Sequence, residues 1–126
     1  MSILYVVATP IGNLEDISPR ALRILSEVDV ILCEDTRVTR KLLSHFGIST
    51  KTISYHARTE VLKLDYVLSF FEEGKNVALV SDAGTPAISD PGAILVKEVR
   101  KKFPEVNIVA IPGPSALTAA VSIAGL

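Results

Sequence analysis

One cysteine in 126 residues excludes an internal disulfide and a cysteine-built metal centre, and no metal is expected. That residue, Cys33, lies in the apolar run Val30-Ile31-Leu32-Cys33, which fits a reducing compartment, so the expected location is the cytoplasm. Charge of one sign is also missing. Thirteen Lys and Arg face fourteen Asp and Glu, a net charge of −1, so the chain as a whole has no phosphate-tracking surface and any nucleic-acid contact must be local or supplied elsewhere. No apolar stretch approaches the roughly 20 residues that span a bilayer. The start, Ile3-Leu4-Tyr5-Val6-Val7-Ala8, lacks the basic flank and longer apolar core of a signal peptide. No membrane partner is expected. There is no G-x-G-x-x-G for a dinucleotide and no G-x-x-x-x-G-K-[ST] for a triphosphate, which argues against NAD and ATP. Linkers, repeats and low-complexity tracts are absent too.

What is present is apolar and periodic. With 48% apolar and 21% charged residues, the length suits one domain over residues 1–126. Short β-branched runs recur at Leu4 to Ala8, Val28 to Cys33, Thr52 to Tyr55, Val77 to Val80 and Ile108 to Ile111, each followed by a loop and a helical pattern. Their continuous apolar character predicts an open, mainly parallel five-stranded α/β sheet with helices on both faces. Ser18-Pro19 opens the first helix with a cap and a first-turn proline, and Leu22, Leu25 and Ala21 are expected to face the sheet. A second helix is predicted over Thr36 to Phe46, with Leu42, Leu43 and Phe46 inward and Gly47 closing it. A third, from Glu60 to Glu73, carries Val61, Leu64, Val67, Leu68 and Phe71 at helical spacing and stops at Gly74. Pro91 to Phe103 repeats the design. The last segment, Ser115 to Leu126, is almost wholly small and apolar and ends without a polar cap, as expected of a truncated chain with something packed over it.

In an open parallel sheet, ligands bind outside the carboxyl ends of the strands, so three unusual loops draw the eye. The first, Thr9-Pro10-Ile11-Gly12-Asn13-Leu14-Glu15-Asp16, sets a glycine among small polar groups. The second, from Ser81 to Gly92, is too long and too ordered in composition for a simple connector. In it Asp90 reads as the cap of the helix that Pro91 begins, and Gly84-Thr85-Pro86 as part of a site. The third, Ile111-Pro112-Gly113-Pro114-Ser115-Ala116, is stiffened by two prolines and delivers Ser115 to a helix start, where a cap and a ligand contact are both compatible.

These loops, together with Glu34-Asp35-Thr36-Arg37, resemble the tetrapyrrole methylase fold family, in its ribosomal RNA small-subunit methyltransferase I branch. The resemblance covers the whole chain and rests on four motifs in order: Val7 to Ile17, Glu34 to Arg37, Ser81 to Pro86 and Ile111 to Ser115. It implies the N-terminal domain of a two-domain enzyme about twice this length, with the C-terminal domain outside this chain. It further implies a homodimer that uses S-adenosyl-L-methionine, held between the halves, to methylate a ribose 2′-oxygen of a cytidine in 16S rRNA of the small ribosomal subunit. Carried over position by position, the cofactor-binding residues are Pro10, Ile11, Gly84, Thr85, Ile88, Ser115 and Ala116. Thr85 stands where relatives that act on tetrapyrroles carry the aspartate of Gly-Asp-Pro, which speaks against a corrin or porphyrin precursor as substrate. The stretch Tyr55-His56-Ala57-Arg58 departs from the His-rich, Asn-containing sequence usual in the branch.

A ribose hydroxyl is a poor nucleophile, so a base or a cation near the developing alkoxide would help. The candidates are Glu34, Asp35 and Arg37, with His56 beside them. Each has a second reading. The carboxylates can stabilise the next helix N-terminus. Arg37 can hold RNA phosphate or pair with Glu34 or Asp35. His56 can be a hydrogen-bonded structural residue. Arg20, Arg37, Arg40, Lys41 and Arg58 form a basic rim or ordinary solvated surface. A tetrapyrrole methylase remains the nearest alternative function. For this chain alone, expected to be inactive with half a cleft, a non-catalytic module that dimerises through its apolar last helix is another.

Overall fold

The computed structural model describes residues 2–88 and 92–125. Among these, the strands are β1 Ile3–Val7, β2 Val30–Cys33, β3 Thr52–Ser54, β4 Val77–Leu79 and β5 Asn107–Ile111. The helices are α1 Pro19–Glu27, α2 Thr36–His45, α3 Glu60–Glu72, α4 Ala93–Lys102 and α5 Ala116–Ile123, with a short 3-10 turn at Leu14–Asp16. All strand pairs are parallel, in the order β3-β2-β4-β1-β5. In register, Leu4 stands between Val77 of β4 and Ile108 of β5.

The continuous apolar runs follow from burial on two faces. Along β2, Val30 and Leu32 join Val67, Leu68, Phe71, Leu95 and Val99 in one core, beneath α3 and α4. Ile31 and Cys33 point the other way, into a second core with Ala21, Ile24, Leu25, Leu42 and Leu43 beneath α1 and α2. Each fully buried Leu or Ile contributes about 1.5–3 kcal/mol. Polar ties close the amino ends of the strands: Asn76 Oδ1 accepts from the Ile3 N–H at 2.9 Å, and Asp29 Oδ2 accepts from the Asn76 N–H at 2.8 Å.

The strand order also positions the site. From β1 the chain steps outward to β2 and β3 through α1 and α2, then returns to β4 and crosses to β5 through α3 and α4. Crossovers of one hand put helices on opposite faces when the direction of travel reverses. The loops that follow the neighbouring strands β1 and β4 therefore lead on to helices on opposite faces, and their carboxyl ends are where a ligand crevice is expected.

Several expectations change in detail. Helix α1 buries Ala21, Ile24 and Leu25, while Leu22 is only half-buried. In α3, Val61 is 73% exposed, because the first turn of the buried stripe is occupied by Glu60 at 5% exposure. Phe70, not anticipated, is buried instead. Helix α2 ends at His45 with Phe46 as its half-buried C-cap. The expected Asp90 cap and the Pro91 helix start lie outside the described residues, as does Leu126; α4 begins after Gly92, which offers no side-chain cap. The face of α5 that was expected to bury against the sheet is solvent-exposed along its length: Leu117, Val121 and Ile123 are 73%, 49% and 87% exposed. Among the described residues, no element packs over it.

Candidate functional site

Three loops meet at the carboxyl ends of β1, β4 and β5. The Thr9 N–H donates to the Gly84 carbonyl and the Gly84 N–H donates to the Thr9 carbonyl, both at 2.9 Å, a two-way bridge between the first two loops. Buried Ser81 shapes the second loop from within, its hydroxyl donating to the Ala83 carbonyl at 3.0 Å, while Thr9 Oγ1 donates to the Ser81 carbonyl at 3.4 Å. The third loop lies against the first, with Gly113 packed so closely on Ala8 that a Cβ there would sit 3.0 Å from the Ala8 Cβ. At the centre is Gly84, with φ of +83°; a Cβ on it would lie 3.5 Å from Ile11 Cγ2 and 3.7 Å from the Pro114 carbonyl oxygen. A side chain at Gly84 would thus touch both of the other loops, so this buried glycine marks the point where all three meet.

Around this junction Pro10, Thr85 and Ser115 are half-buried, and Ile11, Ile88 and Ala116 are exposed. Ser115 caps α5, its Oγ accepting from the Thr118 N–H at 3.3 Å. Ala87 has φ of +65°, a left-handed conformation that an L-residue holds only at a cost of about 1–3 kcal/mol and only where its surroundings impose it. Its methyl is held in the core beneath α3 and α4, while its neighbour Ile88 is 75% exposed. Exposed apolar side chains and small hydroxyls thus lie on the three loops that meet at Gly84.

The second group sits at the ends of β2 and β4. The Asp82 N–H donates to Glu34 Oε1 at 3.3 Å, and in return the Asp35 N–H donates to Asp82 Oδ1 at 3.2 Å. Asp35 also caps α2 by accepting from the Arg37 N–H at 2.9 Å, and it receives Nε and a terminal nitrogen of Arg37 at 3.2 and 3.0 Å. The Arg37 guanidinium holds the Asp35 carboxyl below the usual carboxylate range, and the pair raises Arg37 in turn. The structural reading holds for both residues: Asp35 is a helix cap and the ion-pair partner of Arg37. The Arg37 side chain nevertheless remains 87% exposed. With Glu34, Ser54, His56 and Arg58, these groups line an open polar cleft of about 540 Å³. Its floor is fixed by Ser54, whose carbonyl accepts from Lys63 Nζ at 2.6 Å and whose hydroxyl donates to the Glu34 carbonyl at 3.3 Å.

A smaller, more enclosed cavity of about 290 Å³ lies across the first loop, between Pro10, Leu14, Val38 and Leu42, with Lys41 and Asp82 among its polar groups. Of the predicted basic rim, Arg37 and Arg58 share the polar cleft and Lys41 reaches the smaller cavity, whereas Arg40 lines a separate hollow near β3. Arg20 is exposed in the first turn of α1.

Some neighbours of the candidate site had no assigned role in the sequence. Asp82, which lines both cavities, was visible only as part of a motif. Glu60, buried in α3, accepts from the Gly92 N–H at 2.8 Å and so ties the far end of the β4 loop to the core. A lone acidic residue in the first turn of a helix gives no such signal. Tyr55 is fully buried beside Glu60, with no acceptor meeting its hydroxyl at hydrogen-bonding geometry; burial first, then the Glu60 charge, pushes its ionisation well above the ordinary tyrosine value. Burial likewise raises the Cys33 thiol. Among the described residues no cluster of three or more His, Cys, Asp or Glu is placed to hold a metal ion, and no helix is long and apolar enough to cross a membrane.

The family profile described as Tetrapyrrole (Corrin/Porphyrin) Methylases matches residues 3–126. The chain belongs to the tetrapyrrole methylase family. Within the family, this chain is 52% identical over 99% of its length to the ribosomal RNA small subunit methyltransferase I of Thermotoga maritima, covering 55% of that protein. It is 50% identical over 98% of its length to the protein of the same name from Escherichia coli O157:H7, covering 42% of it. It therefore spans about half the length of the curated relatives it matches. The uroporphyrin-III-C-methyltransferase of Thermus thermophilus shares the fold, with a TM-score of 0.68 over 98% of this chain and 51% of that one at 21% identity.

Proposed function

We propose that this tetrapyrrole methylase domain is the N-terminal half of a two-domain, cytoplasmic S-adenosylmethionine-dependent methyltransferase acting on a cytidine ribose 2′-oxygen of 16S rRNA in the small ribosomal subunit. The observation that carries the reading is the junction at Gly84, where the three family loops meet, in a chain about 50% identical to ribosomal RNA methyltransferases. When bound, the cofactor would supply an electrophilic methyl group. Pro10, Ile11, Gly84, Thr85, Ile88, Ser115 and Ala116 would hold it, and the mixture of exposed apolar side chains and small hydroxyls on these three loops suits a ligand with apolar, polar and charged parts. Thr85 offers a hydroxyl as donor or acceptor in place of a carboxylate.

The chain's own part in the chemistry is positioning and electrostatics. Holding a ribose hydroxyl in line with the methyl group, away from water, can supply most of the acceleration. Glu34, Asp35 and Arg37 stand at the neighbouring strand ends, fixed by the Asp82 exchange, where a carboxylate can take the hydroxyl proton and the guanidinium can stabilise the oxyanion. The exposed apolar surface of α5 supports a further half of the protein, or the second copy of a homodimer, packing there.

Calorimetric titration of S-adenosylhomocysteine into the full-length protein and into this chain, with ATP and NAD as controls, tests the reading. Selective binding by the full-length protein that weakens in Ser115→Ala, followed by labelled methyl transfer to small ribosomal subunits, is the expected result. A full-length protein with no preference for S-adenosylhomocysteine over ATP or NAD refutes it.

A further inference from the structure

We infer that the cavity between the first loop and α2 is the seat of a single nucleoside of the RNA strand, with its base inside and its sugar turned toward the cofactor loops. The inference rests on the rRNA methyltransferase reading and adds a location and residues to it.

Size comes first. At about 290 Å³ the cavity is at the lower limit of small-molecule sites, roughly 300 Å³, which suits one nucleoside and not a folded cofactor or a tetrapyrrole. Its chemistry fits a base. Leu14 and Val38, 40% and 42% exposed, leave apolar surface open to the cavity, and Pro10 and Leu42 complete apolar walls against which a flat ring can lie. Asn13 keeps its amide N–H groups available, because its Oδ1 is already engaged with the Glu15 N–H at 3.0 Å. Asp82 is on the same wall; Oδ1 takes the Asp35 N–H, and the carboxylate retains acceptor capacity. A carboxylate that accepts from the exocyclic amino group of cytosine is a recognised base contact.

Position makes the second part of the case. Thr9 lines this cavity and exchanges two backbone hydrogen bonds with Gly84, so a sugar at the cavity mouth lies beside the loops proposed to hold the methyl donor. Asp82 lines this cavity and the neighbouring polar cleft, where Arg37 and Arg58 lie. Lys41, one turn along α2 from Arg37, reaches the cavity itself. A strand with one nucleotide splayed out would thus place its flanking phosphates near three cations, in a chain with no general basic surface. Sequence-specific RNA recognition commonly takes this form, with an unstacked base in a pocket and phosphates on local charge.

The test uses the full-length protein and two variants. Val38→Trp fills the cavity from a partly exposed helix position, and Lys41→Gln removes one cation without touching the core. S-adenosylhomocysteine affinity is measured by calorimetry, and methyl transfer to unmethylated small ribosomal subunits is followed across a range of salt. The expected result is S-adenosylhomocysteine affinity within about twofold of wild type for both variants. For Val38→Trp, transfer falls at least about tenfold; for Lys41→Gln, the KM for subunits rises and the salt slope drops by about one. Loss of S-adenosylhomocysteine binding in folded Val38→Trp would assign the cavity to the cofactor and overturn the inference. Unchanged transfer in both variants would overturn it as well. A wild-type protein that fails to bind S-adenosylhomocysteine is a different result, because it removes the methyltransferase reading itself.

Discussion

Two glycines of the β4 loop separate backbone strain from packing. Gly84 and Gly92 both have positive φ, +83° and +117°, so alanine at either position meets the left-handed penalty of about 1–2 kcal/mol. Their surroundings differ. A Cβ on Gly84 finds only ordinary contacts at 3.5 and 3.7 Å, whereas one on Gly92 would overlap Leu79 Cδ2 and stand 3.5 Å from Leu79 Cγ and the Ala87 Cβ. Leu79 is 1% exposed in the centre of the sheet and has little room to turn away. Overpacking of a filled core costs about 1–3 kcal/mol. Gly92→Ala should therefore destabilise by about 2–5 kcal/mol and Gly84→Ala by about 1–2 kcal/mol, a difference visible as a lower urea midpoint at unchanged slope. Function should rank them the other way. Gly84→Ala, still folded, puts a methyl group into the spot bordered by Ile11 and Pro114 and should weaken S-adenosylhomocysteine about tenfold, the equivalent of about 1.4 kcal/mol. Equal urea midpoints for the two variants would refute the packing argument, and undiminished ligand affinity in Gly84→Ala would refute the role given to the junction.

Two further predictions concern pH. The Asp35 carboxyl is depressed by its hydrogen bonds from Arg37, so its contribution to stability is present above the unfolded value of about 3.9 and is lost as pH falls through the lower folded value. Asp35→Asn, which keeps a good helix cap, should flatten the loss of stability below about pH 4 in acid titrations followed by circular dichroism; an unchanged acid limb would show that the Arg37 pair contributes nothing. Tyr55 is shifted upward by burial and by Glu60, so its contribution is complete below the ordinary tyrosine value of about 10 and declines as pH rises above it toward the folded value. Of the three tyrosines, one should resist ionisation until alkaline unfolding, and Tyr55→Phe should remove that late step from the tyrosinate absorbance curve. A late step that persists in Tyr55→Phe would assign it to another tyrosine.

Much of this molecule was legible in the sequence, because the relevant signals are local. Apolar runs of β-branched residues marked the strands, Ser18-Pro19 and Ser115 marked two helix starts, and Gly47 and Gly74 marked two helix ends. The four motifs carried the family resemblance that the profile match bears out over residues 3–126. Where local signals failed, partners distant in sequence made the decision. Val61 was predicted inside from its spacing, but the stripe that docks on the sheet begins with Glu60, whose charge is tied to the Gly92 N–H 32 residues away. Asp82 and the Glu34-Asp35 pair, 47 and 48 residues apart, exchange hydrogen bonds only because β2 and β4 are neighbours in the sheet. The sequence by itself determined which segments become strands and helices, since propensity, capping and the period of burial act over a few residues. Only the tertiary structure decided that Ile11, Gly84 and Pro114 come together and that Lys41 shares a cavity with Asp82. Those meetings depend on strand order and on the reversal of the chain after β3, which no local pattern encodes.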